Sequence, residues 1–193
     1  MNPYNNLNLK IDLDNNSTFL LKRIQGKNIL VIGGAGSIGF SYIKKILEYK
    51  PAKITIIDTN ENGLTELTRD LRSSNLLDYN PEYKTYPVNL LSDTFDKIFR
   101  LNAWDVVANF SAHKHVRTEK DGISVEALIK NNVFGIIKVL KLCEENPPKF
   151  FFSVSTDKAA NPVNVMGASK SLMEKLILSK KNIFRVSTAR FAN

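Results

Sequence analysis

Short apolar runs alternate along this chain with longer segments in which apolar residues recur every three or four positions. Such runs are typical of buried strands, and the three-to-four period is typical of amphipathic helices. Clear runs begin at Asn28, Lys53 and Phe150, and the longest periodic segment spans about Ser124 to Glu145. This repeated alternation predicts an α/β fold, a doubly wound parallel sheet with helices on both faces.

The pattern predicts six strands and six helices. The predicted strands span residues 28–32, 53–58, 85–88, 105–110, 150–155 and 184–188. The predicted helices span residues 18–24, 37–49, 63–72, 93–101, 124–145 and 165–181. Residues 1–25 are asparagine-rich with weak periodicity, so we expect an N-terminal arm there and an ordered domain over residues 26–193.

The composition, 43% hydrophobic and 24% charged residues, is ordinary for a soluble globular protein, and 193 residues suffice for one domain with a substantial core. No apolar run approaches the roughly 18 residues that cross a membrane, and no secretory signal is visible. The single cysteine, Cys143, can form neither an internal disulfide nor a multi-thiolate metal site. We therefore expect a cytoplasmic protein with no membrane partner.

The net charge of +8 permits nucleic-acid binding, but the lysines are scattered over many segments. A nucleic-acid surface concentrates its basic residues in a patch or stripe, and none is visible here. We therefore expect no nucleic-acid partner, and an anionic small molecule suits the charge equally well.

A glycine-rich turn follows the first predicted strand, since residues 32–39 read Ile-Gly-Gly-Ala-Gly-Ser-Ile-Gly. Glycines there let backbone amides and a helix N-terminus reach a pyrophosphate, and the last one permits close helix packing. No Gly-Lys-Ser/Thr closes the motif, which disfavours a nucleotide-hydrolase loop. The alternative is a purely structural turn. The candidate cofactor contacts are Gly33, Gly36, Ser37, Ile38 and Gly39.

Asp58 ends the second predicted strand about twenty residues after the turn, where dinucleotide-binding folds of the Rossmann type carry an acidic residue. Its carboxylate would hydrogen-bond the adenosine ribose hydroxyls and repel a 2′-phosphate. No arginine immediately follows, so NAD is favoured over NADP as the cofactor. The alternative for Asp58 is a helix cap.

The stretch from Val154 to Lys170 joins a buried strand to a helix, which is where parallel sheets bind ligands. It holds an acid (Asp157), a potential base (Lys158) and a hydroxyl (Thr156). The alternative is a solvated Asp-Lys pair at a strand end, with Met166 as core filler.

The glycine spacing resembles that of the extended short-chain dehydrogenase/reductase family. Residues 109–112, Asn-Phe-Ser-Ala, look like the family's turn after the fourth strand, and residues 132–135, Asn-Val-Phe-Gly, look like its helix asparagine motif. The resemblance implies that Ser111, Ala112 and Asn132 lie near the cofactor. Asn89 stands where many relatives carry an aspartate that contacts adenine.

Most members of that family use Tyr-x-x-x-Lys, whereas this chain has Met166 and Lys170 at those two positions. Residues 156–170 instead resemble one branch, the nucleotide-sugar 4,6-dehydratases of polysaccharide and glycoprotein sugar pathways. The resemblance implies that Thr156 binds the C4 oxygen of the sugar and that Lys170 binds the nicotinamide ribose. It also implies a secondary role for Met166 against the substrate or the nicotinamide.

The same resemblance implies a reaction by internal hydride transfer. NAD removes hydride from C4 and returns it to C6, Lys158 takes the C5 proton, and a protonated Asp157 gives a proton to the departing C6 hydroxyl. The product is a 4-keto-6-deoxy sugar, with UDP-N-acetylglucosamine as the first candidate substrate. The proton of the C4 hydroxyl goes to Asp157, to Lys158 or to water.

Residues 111–116 and 187–193 also look like segments of that branch. They imply substrate contacts by Lys114, His115 and Asn193, with ordinary loop polar groups as the alternative for the first two. The two histidines have no third ligand at suitable spacing, so no metal site is expected.

Relatives carry a C-terminal lobe that binds the nucleotide-sugar, and we expect this chain to be a fragment without that lobe, inactive on its own. The helices after the fourth and fifth strands pair relatives into homodimers. Two other functions stay open: a nucleotide-sugar 4-epimerase or reductase, and a non-catalytic NAD-binding module.

Overall fold

The computed structural model describes residues 9–112 and 121–191, and within them six parallel strands form one sheet in the order β3-β2-β1-β4-β5-β6. The strands are β1 (Asn28–Ile32), β2 (Lys53–Asp58), β3 (Glu82–Pro87), β4 (Val106–Asn109), β5 (Phe150–Thr156) and β6 (Arg185–Phe191). The helices are α1 (Leu9–Asn15), α2 (Ser17–Ile24), α3 (Ser37–Leu47), α4 (Glu61–Ser73), α5 (Asp93–Arg100), α6 (Gly122–Ile129), α7 (Gly135–Glu145) and α8 (Val165–Leu178). The predicted Rossmann-type α/β class is confirmed.

Apolar side chains cover both faces of the sheet. One cluster joins the sheet to α5, α7 and α8 through residues such as Phe99, Val139 and Ile177. The other joins it to α3 and α4 through residues such as Ile43 and Leu67. Helices therefore pack on both faces, as the alternating pattern predicts.

Two elements differ from the prediction. The strand β3 begins at Glu82, three residues before the predicted start. Among the described residues it pairs with β2 alone, and its exposed charged residues alternate with partly buried ones, which hides the apolar pattern of a strand. The long helix predicted over residues 124–145 is instead α6 and α7 joined by a π-helical segment, Lys130–Phe134.

The N-terminal arm holds more helix than predicted. The helix predicted over residues 18–24 is α2, and α1 precedes it. No residue of α2 is buried, and Ile24 packs against the edge of the core. The domain boundary at residue 26 stays a prediction.

Within the described ranges, no helix is both long and apolar enough to span a bilayer. The helices predicted to pair a homodimer expose Phe134 and Leu172. The dimer itself stays a prediction.

We expect Phe99→Ala to lower the free energy of unfolding by about 3–5 kcal/mol, because the ring is fully buried against Phe95 and Trp104. Leu101→Ala, two residues away and 82% exposed, is the control and should change it by less than about 0.5 kcal/mol. Denaturant unfolding of both variants measures the difference. Equal losses would contradict the core assignment.

Candidate cofactor and catalytic cleft

A cleft of ≈ 910 Å³ lies where the carboxyl ends of the central strands meet the first turns of α3 and α8. It collects most of the residues that the sequence singles out. Those residues are Gly33, Gly36, Ser37, Ile38, Gly39, Asp58, Ser111, Ala112, Thr156, Lys158, Met166 and Lys170. Asp157 and Asn132 are not among its lining residues.

The glycine turn packs directly against the end of β4. Gly33 has φ +78°, and a Cβ there would come within 2.5 Å of the backbone nitrogen of Ser111. A Cβ on Gly39 would come within 2.5 Å of the Gly33 carbonyl oxygen. Any side chain at either position would therefore push the turn, the helix and β4 apart.

Gly36 differs, because a Cβ there would meet nothing nearer than 3.6 Å. Gly36 is the N-cap of α3, and it has no side chain that could accept hydrogen bonds from the first amides of the helix. Those amides, including the ones of Ser37 and Ile38, therefore have no partner among the described residues. These amides and the helix dipole lie at the cleft wall and suit an anionic phosphate.

Asp58 connects the end of β2 to the glycine turn. Its Oδ2 accepts a hydrogen bond from the Ala35 amide at 2.9 Å, and its Oδ1 accepts one from the Asn60 amide at 3.0 Å. Asn60, not Asp58, caps α4 by accepting from the Gly63 amide at 3.0 Å. The carboxylate is partly exposed in the cleft, where it can accept further hydrogen bonds.

The turn after β4 is held by side-chain hydrogen bonds. The Ser111 hydroxyl donates to Asn109 Oδ1 at 2.7 Å, and Asn109 Nδ2 donates to the Ser153 hydroxyl of β5 at 3.2 Å. These bonds fix Ser111 and Ala112 at the cleft wall.

The π-helical segment directs Asn131, not Asn132, to the cleft. Asn132 is buried, and its Nδ2 donates to the Ser169 hydroxyl of α8 at 3.0 Å. Asn131 Nδ2 donates to Asn132 Oδ1 at 3.2 Å. A widened turn changes which of two neighbouring side chains faces the cleft, and a cofactor contact by Asn132 stays a prediction.

Thr156, Asp157 and Lys158 form a tight cluster where β5 ends in a 3₁₀ turn (Asp157–Ala159). The Thr156 hydroxyl donates to Asp157 Oδ1 at 2.8 Å, and the Lys158 amide donates to the same oxygen at 2.9 Å. Lys158 Nζ lies 3.4 Å from it. Thr156 and Lys158 face the cleft, whereas the Asp157 side chain is 51% exposed and reaches the cleft through the Thr156 hydroxyl.

The hydrogen bond from Thr156 is the main cause that lowers the pKa of Asp157, and the contacts with Lys158 lower it further. The ionised form is therefore favoured at neutral pH. The resemblance implies that Asp157 acts as a protonated acid. These contacts favour the ionised carboxylate, so Asp157 would have to gain a proton before it could act in that way.

Lys170 is 5% exposed, and burial lowers its pKa to about 8. Its Nζ donates to the Val154 carbonyl oxygen at 2.8 Å, which holds the ammonium group beside the end of β5. Met166, one turn earlier on α8, is buried at the cleft wall. A thioether has no proton to give, so this position cannot act as an acid.

Sequence reasoning missed several lining residues, among them Thr59, Asn60, Asn131 and Phe191. Asn89, named only as a departure from the family pattern, also lines the cleft. The predictions for Lys114, His115 and Asn193 fall outside the described residues.

Comparison with known proteins gives a consistent picture. The sequence model of one family, described as "Polysaccharide biosynthesis protein", matches residues 29–193. UDP-N-acetylglucosamine 4,6-dehydratase (inverting) of Campylobacter jejuni is 36% identical over 171 residues, which are 86% of this chain and 47% of that protein. A protein of Methanocaldococcus jannaschii named as an uncharacterized membrane protein is 35% identical, over 86% of this chain and 49% of that protein. The chain spans about half the length of these curated relatives.

Among solved structures, the enzyme WbmF of Bordetella bronchiseptica in complex with NAD+ matches with a TM-score of 0.70 at 15% identity. The match covers 89% of this chain and 51% of that chain. At this identity the likeness establishes the shared fold.

We expect Thr156→Val to raise the pKa of Asp157, because the variant loses the hydroxyl that is the main stabiliser of the carboxylate. Carbon-13 NMR titration of the aspartate carboxyl groups measures this. Thr68→Val, which removes a hydroxyl bonded to Leu64 and Tyr83 on α4 and β3, should leave the Asp157 titration unchanged. An unchanged titration in Thr156→Val would contradict the described cluster.

Proposed function

Because the chain belongs to the family of polysaccharide biosynthesis proteins, we propose that it is the NAD-binding part of a nucleotide-sugar 4,6-dehydratase. The proposed substrate is a nucleoside-diphosphate hexose, first UDP-N-acetylglucosamine, which a relative at 36% identity is named for. The proposed product is a 4-keto-6-deoxy sugar for surface polysaccharide or glycan synthesis. The observation that carries the proposal is that Thr156, Lys158 and Lys170 line the same cleft as the glycine turn.

The described residues fit a dinucleotide. The open space at Gly36 and the amides of Ser37 and Ile38, which have no partner among the described residues, would hold the pyrophosphate. Asp58 would accept hydrogen bonds from the adenosine ribose. Lys170 would donate to the nicotinamide ribose. When bound, NAD supplies an acceptor for the hydride of sugar C4 and a donor of that hydride to C6. The Asp58 carboxylate favours NAD, because it would repel the 2′-phosphate of NADP.

We assign the proton of the sugar C4 hydroxyl to Asp157. Its carboxylate favours the ionised form and accepts a hydrogen bond from Thr156, which faces the cleft. The Thr156 hydroxyl can accept the proton of the C4 hydroxyl while it gives its own proton to Asp157 Oδ1, 2.8 Å away. Asp157 then holds the proton that its resting state lacks.

Lys158, in its neutral form, takes the C5 proton, which the ketone at C4 makes acidic. Protonated Asp157 gives its proton to the departing C6 hydroxyl, so the C4 hydroxyl proton leaves as part of one water molecule. Lys158 returns its proton to C5. Atoms and charge balance, and the net change is the loss of water.

A 4-epimerase or reductase of the same scaffold needs an acid where Met166 lies, and the thioether cannot fill that role. This residue is the specific feature that favours dehydration over those reactions. A non-catalytic NAD-binding module would not need the acid, base and hydroxyl groups that the Thr156–Asp157–Lys158 cluster holds at the cleft.

We expect the full-length protein to convert UDP-N-acetylglucosamine to a product lighter by one water without added NAD. Asp157→Asn and Lys158→Met should each lower the rate by at least about 100-fold, because each removes a proton carrier. Mass spectrometry of the sugar nucleotide follows the reaction. Lys84→Met, on the edge strand β3, is the control and should keep the rate.

An unchanged mass with both UDP-linked and GDP-linked sugars, in protein that carries NAD, would refute dehydration. A product of equal mass but altered configuration would instead identify an epimerase.

A further inference from the structure

A buried carboxylate lies one helical turn from Lys170 on α8. Glu174 is 6% exposed, and both its oxygens accept hydrogen bonds from the Arg190 guanidinium of β6, at 2.9 and 2.6 Å. The hydrogen bonds from Arg190 are the main cause that lowers the pKa of Glu174. Arg190 pairs in register with Ser155 of β5, directly after the Val154 carbonyl that holds Lys170.

Lys170 and Glu174 do not pair with each other, although their spacing favours it. Oppositely charged residues four apart on a helix are neighbours, and burial strengthens their attraction. Lys170 Nζ instead contacts the Val154 carbonyl oxygen at 2.8 Å and the Met173 sulfur at 3.4 Å. The bidentate fork from Arg190 occupies the two oxygens that would otherwise attract the ammonium group.

We propose that Arg190 is a positioning residue for Lys170: by holding the Glu174 carboxylate, it leaves the Lys170 ammonium on the Val154 carbonyl, at the cleft wall. Without the guanidinium, Glu174 would be a buried carboxylate without its main partner, and Lys170 is the other cation among the described residues whose charge acts on it. Lys170 would turn toward it along α8 and withdraw from the cofactor. The role of Lys170 toward a cofactor rests on the proposed function.

Most charged groups on the elements packed against α8 have partners of their own, whereas Lys141 of α7 and Arg185 of β6 form no ion pair with another described residue. The pairs are Asp157 with Lys158, Glu126 with Lys130, Glu144 with Lys180, and Asp96 with Lys138. Burial lowers the pKa of Lys170, and the negative charge of Glu174 raises it. The pKa of Lys170 therefore depends on how close the Glu174 carboxylate lies to the Lys170 ammonium group.

The simpler interpretation is that Arg190 and Glu174 only join α8 to the edge strand β6. Such a brace would affect the free energy of unfolding, but it would leave the protonation of Lys170 unchanged in Arg190→Lys, which keeps the charge at that position. The two interpretations differ in the pKa of Lys170, which NMR of the lysine side chains measures in the full chain, with Lys170→Met to assign the signal.

We expect Arg190→Met to raise the pKa of Lys170 by about one unit or more, because the Glu174 charge turns to the ammonium group. Arg190→Lys, which keeps the charge but loses the fork, should give a smaller rise. Glu174→Gln should lower the pKa below the wild-type value, and Glu174→Gln with Arg190→Met should match Glu174→Gln alone.

An unchanged Lys170 titration in Arg190→Lys would overturn the proposal and leave only the brace. Should Arg190→Met fail to fold, Arg190→Lys and Glu174→Gln decide between the same two interpretations. The titration needs no cofactor, so it is separate from the proposed function. A raised pKa of Lys170 in protein that never binds NAD would uphold the positioning role and refute the cofactor role.

Discussion

The contact between the glycine turn after β1 and the end of β4 is the constraint on which the rest of the cleft depends. Gly33 lies so close to Ser111 that no side chain fits between them, and Gly39 brings α3 equally close to Gly33. The parallel register then aligns Ile32 with Ile57 and Asn109, and Asn109 with Ser153. The turns that follow five neighbouring strands, β3, β2, β1, β4 and β5, therefore open into one cleft, and residues distant in the sequence become neighbours.

The charges at this cleft follow from the same geometry. The N-terminus of α3 and Lys170 bring positive potential to its wall, and Asp58 places a carboxylate at the end of β2. This distribution suits a ligand with anionic phosphates and ribose hydroxyls. Burial lowers the pKa of Lys170, and the Arg190–Glu174 pair restrains the nearest carboxylate. The electrostatics of the cleft thus depend on the edge strand β6 as well as on the glycine turn.

The sequence predicts the central strands and the glycine turn well, because buried parallel strands are continuous apolar runs and phosphate turns need glycine. It predicts β3 poorly, because an edge strand carries charged residues such as Glu82 and Lys84 that hide its pattern. The π-helical segment leaves no periodic signal, so the motif at Asn132 did not reveal that Asn131 faces the cleft. The Arg190–Glu174 pair depends on a contact between two elements, which no local pattern records. The lowered pKa of Asp157 comes from its chain neighbours Thr156 and Lys158, but through the geometry of a turn that their sequence does not reveal.

The most direct test of the central claim is calorimetric titration of the chain with NAD, in wild type and in Gly36→Ala. Gly36 has room for a methyl group, so the variant should fold as stably as wild type, yet the methyl would occupy the space of the pyrophosphate. We expect NAD affinity to fall at least tenfold, while Gly122→Ala, which also has open space, keeps it. Equal NAD affinity in wild type and Gly36→Ala would contradict a pyrophosphate site at this turn.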